Sequence, residues 1–499
     1  MDPFSSLTPE LRLEILRLIR SERRILSLAQ ASPIMLQQYI TSKPILTRSW
    51  LTSDLDRDII QDAMAIITRP PLDVSGFQHL AHNHYCLWTG QQFTDPIDNG
   101  DHRLIEKLGN LCRRLIRFIE DYVTKATSPF PPRAYLSLPC SSAIRATSNF
   151  KGQIVDQRFD AADLSDEERG RLLKAFLRFE AICKTYPAVI SAHTDIVMGR
   201  NENSPWEEII RSFADDPFYS FGQHGFRLWE KEAVSCVYAY LQSLYGAMFA
   251  QCGDSWLPCP CHSRGLLYPD NFFMDADVYA SDLGLGPSTT QPMSHRLPNL
   301  IPCSLAGFGF DLAAGLLKFA TDGDEQRCRL KRWLEEFCEA RAQVIDNLCG
   351  FPGYSPLRQQ KCCGDGPGTY EMLHHRIQYD RVSQTSRLHL RIYRQRAWVF
   401  FDDARLFSDS PFTFPTKNDL AKELEKTTLD MEWVSDPRGA RSLRRSQKTP
   451  GCPTCSICRP VEEADPEKYE EHGRGRYQLP CLKDDTSFSR LLRFWEKRF

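Results

Sequence analysis

The sequence predicts a mainly α protein: an N-terminal three-helix unit at residues 1–50, a large irregular helical domain at 51–430, and a charged, cysteine-containing, partly disordered tail at 431–499. Three observations carry that expectation. Apolar residues recur every three or four positions along most segments, helix start and stop signals bracket those segments, and strand-like alternation is sparse. With 499 residues and 42% apolar content, the chain can bury one large core or two to three ordinary ones. Its 62 basic and 64 acidic residues leave a formal charge of -2, which gives no global pull toward nucleic acid or an anionic membrane.

The first helix is the most strongly specified. Thr8 is placed as its N-cap, Pro9 suits the first helical position because its missing N–H would be unpaired there, and Glu10 sets negative charge on the positive end of the macrodipole. Leu11, Ile15, Leu18 and Ile19 recur on one face, Leu13 and Leu16 widen it, and Arg12, Glu14 and Arg17 stay polar. A second helix follows, with Ser21 as cap before Ile25, Leu26, Leu28 and Ala29, and Pro33 opens a third over 34–40. Three such helices bury too little surface to stand alone. On spacing, two readings are open: a helical hairpin docked on its own domain, or a face presented to a partner.

Leu7, Pro9, Glu10, Leu11, Ile15 and Leu16 match the Leu-Pro-x-Glu-Leu-x-x-x-Ile-Leu core of F-box motifs, and Leu26, Leu28, Ala31, Ser32 and Pro33 continue it as in shortened fungal versions. The first fifty residues therefore resemble an F-box of the fungal type. Two departures stand out: Thr-Pro-Glu at 8–10, and Leu28-Ala-Gln-Ala-Ser-Pro33 where longer F-boxes carry a Val-Cys-Arg type segment, with Trp50 arriving late. The resemblance implies a non-catalytic substrate adaptor of a cullin-RING (SCF-type) ubiquitin ligase. Its F-box would dock on the Skp-type adaptor through Leu7, Pro9, Leu11, Ile15 and Leu16 as apolar anchors and Glu10 as an orienting polar contact, and the remaining chain would recruit an unknown protein substrate. Residues 164–180, Leu-Ser-Asp-Glu-Glu onward, resemble a segment of other fungal F-box proteins. The alternative is an all-helical scaffold whose F-box-like helices pack on its own domain and bind no adaptor.

Further along, Ser53 is read as capping a helix through Ile67 that stops at Pro70-Pro71. A long helix spans about 103–125, and Ser165-Asp-Glu-Glu168 is a capping box before a helix whose buried side runs from Leu172 to Cys183, with a stop expected at Tyr186-Pro187. Helices are expected near 205–213, 226–251, 305–320, 325–348 and 388–407, and Gly/Pro/Ser-rich loops at 255–303 and 350–368. In the helix near 388, Leu390, Trp398, Val399 and Phe400 are read as packing, and the arginines, Arg394 and Arg396 among them, as facing solvent or pairing with Asp402 and Asp403. No leucine-rich, WD or kelch period occurs.

The remaining chemistry is thin. No phosphate loop, Gly-x-Ser-x-Gly elbow or His-Glu-x-x-His is found, so neither an enzyme nor a cofactor is expected. The eighteen cysteines are read as free thiols, several of them small buried hydrophobes. Cys452, Cys455, Cys458 and Cys481, with His472, could supply zinc ligands, but the set lacks a second pair and is read as loop thiols; Cys259-Pro-Cys261-His262 and Cys362-Cys363 are weaker still. His79, His82 and His84 are read as a surface turn. A basic block at 438–448 and an acidic one at 462–471 read as solvated tail, with nuclear import as the alternative for the first. The N-terminus lacks a signal-peptide pattern, and the longest apolar stretch, 305–320, is broken by Asp311 and Lys318, so an intracellular location, cytoplasmic or nuclear, without membrane, is expected.

Overall fold

A computed structural model describes residues 2–71, 76–129, 131–139, 147–197, 227–253, 257, 305–321, 323–342, 384–402, 405, 414 and 416–426. The tail cysteines, His472, the motifs at 259–262 and 362–363, both charge blocks, Asp403, the expected helix at 205–213 and nearly all of both expected loops lie outside them. The described chain is mainly helical.

Three helices come first: α1 (Pro9–Leu18), α2 (Glu22–Ala31) and α3 (Pro33–Asp54). Pro9 and Pro33 each occupy the first turn, as their fixed φ favours. Ser21 and Ser32 accept the backbone N–H of Arg24 and Met35, at 3.3 and 3.1 Å, and so cap α2 and α3. Thr8 sits at the cap position of α1, but its side chain makes no capping bond. α3 runs far past the expected 34–40. Pro44 lies inside it, removing the bond to the Ile40 carbonyl, but the helix continues because Leu46, Leu51 and Leu55 all find cores to enter. The helix α4 (Arg57–Ile67) is consequently capped by Asp56, at 2.8 Å to Ile59 N, and not by Ser53, which lies within α3.

The body is built around α8 (Asp166–Val197), which meets α4, α5 (Phe77–Thr89), α6 (His102–Thr127), α9 (Leu228–Cys252) and α10 (Gly309–Thr321). Ser165 and Glu168 form the reciprocal capping box, at 3.2 and 3.1 Å. The helix continues through Pro187, where the sequence suggested a stop. Phe176 of α8 stacks on Phe310 at 5.1 Å, and Tyr122 of α6 meets Tyr240 of α9 at 4.9 Å, so aromatic contacts join four helices in one core. Gly309 has φ +74°, and a side chain there would collide with the Glu180 carboxylate, which accepts the N–H of Phe310 at 2.6 Å.

The smaller elements are α7 (Pro131–Ala134), the hairpin β1 (Thr147–Phe150) with β2 (Gln153–Gln157), and α11 (Asp324–Ala342), α12 (Gln384–Gln395) and α13 (Lys417–Lys426). Lys151 and Gly152 both have positive φ, which matches the tight hairpin turn to the strand twist. The last carbonyls of α12 are covered by side chains: Tyr122 and Tyr135 hydroxyls donate to Arg394 and Gln395 oxygens at 2.6 and 2.7 Å. Trp398, Val399 and Phe400 are fully buried, as expected. Arg394 departs from its expected role: it turns inward and clasps the buried Glu232 carboxylate with two bonds of 2.8 Å, because that charge needs a partner in the core. Asp402 is taken by Arg171.

Candidate functional site

The three N-terminal helices own a core separate from that of the body. Leu16, Ile25, Met35 and Leu46 are buried there, and Phe4, Leu13, Ile15, Ile19, Leu28, Tyr39 and Trp50 close around them. Two hydrogen bonds pin the chain across it. The Trp50 indole donates to the Arg17 carbonyl at 3.3 Å, satisfying an end carbonyl of α1, and the Ser32 hydroxyl donates to Asp2 at 2.6 Å. That bond, with the Phe4 N–H, holds the Asp2 carboxyl below its ordinary range.

Junction with the body is mainly ionic at α2 and apolar along α3. Arg23 and Arg24 meet Asp160 at 3.1 and 3.0 Å, and the Ser21 hydroxyl donates to the same carboxylate at 2.8 Å. Arg20 reaches Asp54 at 2.8 Å and also Asp166. Burial would raise the Asp160 carboxyl, but the hydrogen bonds from Ala162 N and Ser21 and the charges of Arg24 and Arg23 hold it low. Leu51 and Leu55 at the end of α3 belong to the body core, and Thr47 lies so close to Gly109 of α6 that a Cβ there would sit 2.5 Å from its methyl.

The outer surface of this unit is unusually apolar. Eight large hydrophobic side chains are exposed among the described residues, and five of them, Leu11, Leu18, Leu36, Ile40 and Ile45, lie on α1 and α3. Leu11 and Leu18 are 54% and 74% exposed, and Ile15 is half-buried on the same side of α1. Leu36 and the 58% exposed Ile40 stand one turn apart on α3, while Ile45 points to another side.

The motif residues therefore divide. Pro9, Glu10 and Leu11 face solvent, Leu7 and Ile15 are half-buried, and Leu16 is fully buried. Leu16 fills the unit's own core and holds α1 in place, so its side chain is out of reach of any partner that leaves the unit folded. Hydrogen bonds from its own backbone N–H and from Thr8 lower the Glu10 carboxyl, so it already serves the start of α1. Spacing alone left Leu36 and Ile40 unassigned, although their interval of four after Pro33 is an apolar helical signal.

Other candidate chemistry does not converge. His79, His82 and His84 lie on a helix, α5, and not in a turn. His84 is packed beside Phe93, meets Thr68 at 3.1 Å, and is pushed down to about 4 by burial and by Arg69, so it is neutral at physiological pH. Among the described residues no group of three metal-ligating side chains occurs. Cys112, Cys183 and Cys236 are free and buried, as expected, whereas Cys86 and Cys328 are exposed; burial pushes the Cys112 thiol up to about 12, which keeps it protonated and unreactive. Lys125, fully buried, is matched by Asp121 at 2.6 Å, which also accepts from Tyr240 at 2.8 Å. No described helix is long and apolar enough to cross a membrane. No family model, no curated protein and no solved structure matches the chain.

Proposed function

We propose that this chain is a non-catalytic substrate adaptor of an SCF-type ubiquitin ligase, which docks on a Skp-type adaptor through its N-terminal three-helix unit and recruits a protein substrate with its helical body, in the cytoplasm or nucleus. The observation that carries the reading is the concentration of exposed apolar side chains on α1 and α3, outside the unit's own buried core. Leu11, Leu18, Leu36 and Ile40 are the anchors of the proposed interface, with Ile15 half-buried behind Leu11 and Pro9 and Glu10 at its rim. Helix-face recognition of this kind draws its energy from a few desolvated apolar anchors. Ubiquitin transfer itself would belong to other subunits.

A helical scaffold is the second reading, and one observation favours it. Leu16, the most buried residue of the F-box-like motif, serves the unit's own packing, and α2 is tied to the body by Asp160 and Asp163. A pulldown with purified Skp-type adaptor separates the two. The intact chain should bind stoichiometrically, and a Leu11→Glu, Ile40→Glu variant with an unchanged circular dichroism spectrum should not. Failure of the intact chain to bind leaves the scaffold.

A further inference from the structure

A solvent-open cleft of about 70 Å³ lies where the three-helix unit meets the body, walled by the start of α2 and the middle of α3 on one side and by α6 and Arg169 of α8 on the other. Its lining is of two kinds. Ile25, Tyr39, Trp50, Leu51 and Ile116 give it apolar and aromatic walls. Arg20, Arg23, Arg158 and Arg169, together with Lys43, Arg113 and Arg117, make seven cations against the carboxylates of Glu22, Asp54 and Glu120.

These three carboxylates are already engaged. Asp54 accepts from Arg20 and Arg169, at 2.8 and 2.7 Å, Glu120 is taken by Arg158, and Glu22 holds Arg117 at 3.3 Å. Arg23 is held by Asp160. Two cations are left over. Lys43 is exposed and has no carboxylate within ion-pair distance among the described residues, and Arg113 bends back along its own helix to the Gly109 carbonyl, at 3.2 Å, and to Asn110. A further donor is orphaned: the Arg117 Nε–H is buried and has no acceptor. Glu22 and Arg113 both act on the half-buried Tyr39 phenol, whose pKa is raised by burial first and by Glu22 next, so it stays a neutral hydroxyl and adds no negative charge.

We propose that this cleft binds a small organic anion with an apolar or aromatic body and one phosphate or carboxylate head, the head lying between Lys43, Arg113 and Arg117 and the body against Tyr39, Trp50 and Ile116. The uncompensated cations supply the attraction for the head, and the apolar walls supply the preference for a substituted ion over a bare one. Because the walls come from both the unit and the body, an occupant ties the two together. The inference is independent of adaptor binding.

Calorimetric titration of the full chain with phenyl phosphate, benzoate, inorganic phosphate and phenol tests it. At least one of the two aromatic anions should bind about tenfold or more tightly than inorganic phosphate or phenol, and the tighter of the two names the head group. A Lys43→Glu, Arg113→Glu variant, altered at side chains that hold no carboxylate, should keep its melting temperature and lose about tenfold or more of that affinity. Saturating ligand should also increase amide protection in α2 and α3 of the intact chain. Absence of binding by both aromatic anions overturns the proposal, as does equal binding of inorganic phosphate, or affinity unchanged in the folded variant.

Discussion

The three-helix unit and the body spend the same kind of sequence in opposite ways. In the body, α8 as far as Lys184 and the described positions of α9 bury their apolar side chains almost completely, and even charged side chains such as Glu232 and Lys125 are drawn inside and paired. In the unit, four residues make the core, and apolar positions of equal spacing on α1 and α3 are left in water. Apolar periodicity says that a face exists. What covers it is decided by tertiary partners, and on α1 and α3 none of the described elements does so.

The largest effect should come from disturbing the body. Arg394→Ala leaves Glu232 charged and unpaired in the core, and should cost about 3–5 kcal/mol, read as a lowered midpoint in denaturant unfolding. The contrast breaks if that variant is near neutral, since buried ion pairs would then contribute little to the body. Next comes Leu16→Ala, which empties the centre of the small core and should cost about 2–4 kcal/mol. Hydrogen exchange should place that loss in α1, α2 and the first half of α3, with protection in α8 and α9 retained; loss of protection throughout would mean that the two cores unfold as one.

Acid should act on the junction. The folded-state pKa of Asp160 is below that of an unfolded aspartate, so its contribution is fully present above about pH 4 and fades as pH falls through the lower, folded value. Amide protection in α2, corrected for intrinsic exchange, should therefore fall with acid in the intact chain, and should already be reduced at neutral pH in an Asp160→Asn variant. Identical profiles for the two would remove Asp160 from the junction. The smallest effect belongs to the outer face. Leu18→Ala and Ile40→Ala should each change stability by within about 0.5 kcal/mol, because those side chains meet mostly water. A loss several times larger in either would show that the face is covered in solution.

Much of the helical order is legible from local signals. The Ser165–Glu168 capping box, the long apolar stripe of α6, and Ser21 before α2 appear in the structure where the residues themselves act. The errors have a common cause. Tyr186-Pro187 reads as a helix stop and the third helix reads only as far as Ile40, but α8 and α3 run on past Pro187 and Pro44: a proline removes one backbone bond, and Leu46, Leu51 and Leu55 seat the extended α3. Arg394 reads as facing solvent or pairing with Asp402 or Asp403 because Glu232 stands 162 positions away, and nothing local announces the pair. On the first helix the sequence shows an apolar face but cannot tell Leu11, outside, from Leu16, inside. Both lie within a stripe wide enough to have two sides, and only the neighbours choose between them.

Helix α3 belongs to both cores: Leu46 is seated in the small one, and Leu51 and Leu55 in the large one. This makes the helix a phase ruler. One residue inserted between Leu46 and Leu51 would advance the unit by about 1.5 Å and turn it by about 100°. Arg20, Arg23 and Arg24 would then swing away from Asp160 and Asp54, and Leu11 and Ile40 would point in a new direction. An insertion of about seven residues, close to two turns, would nearly restore the heading, at a greater reach. A change in the length of this stretch therefore re-aims the whole unit, whereas a change of side chain on its surface leaves the heading as it is.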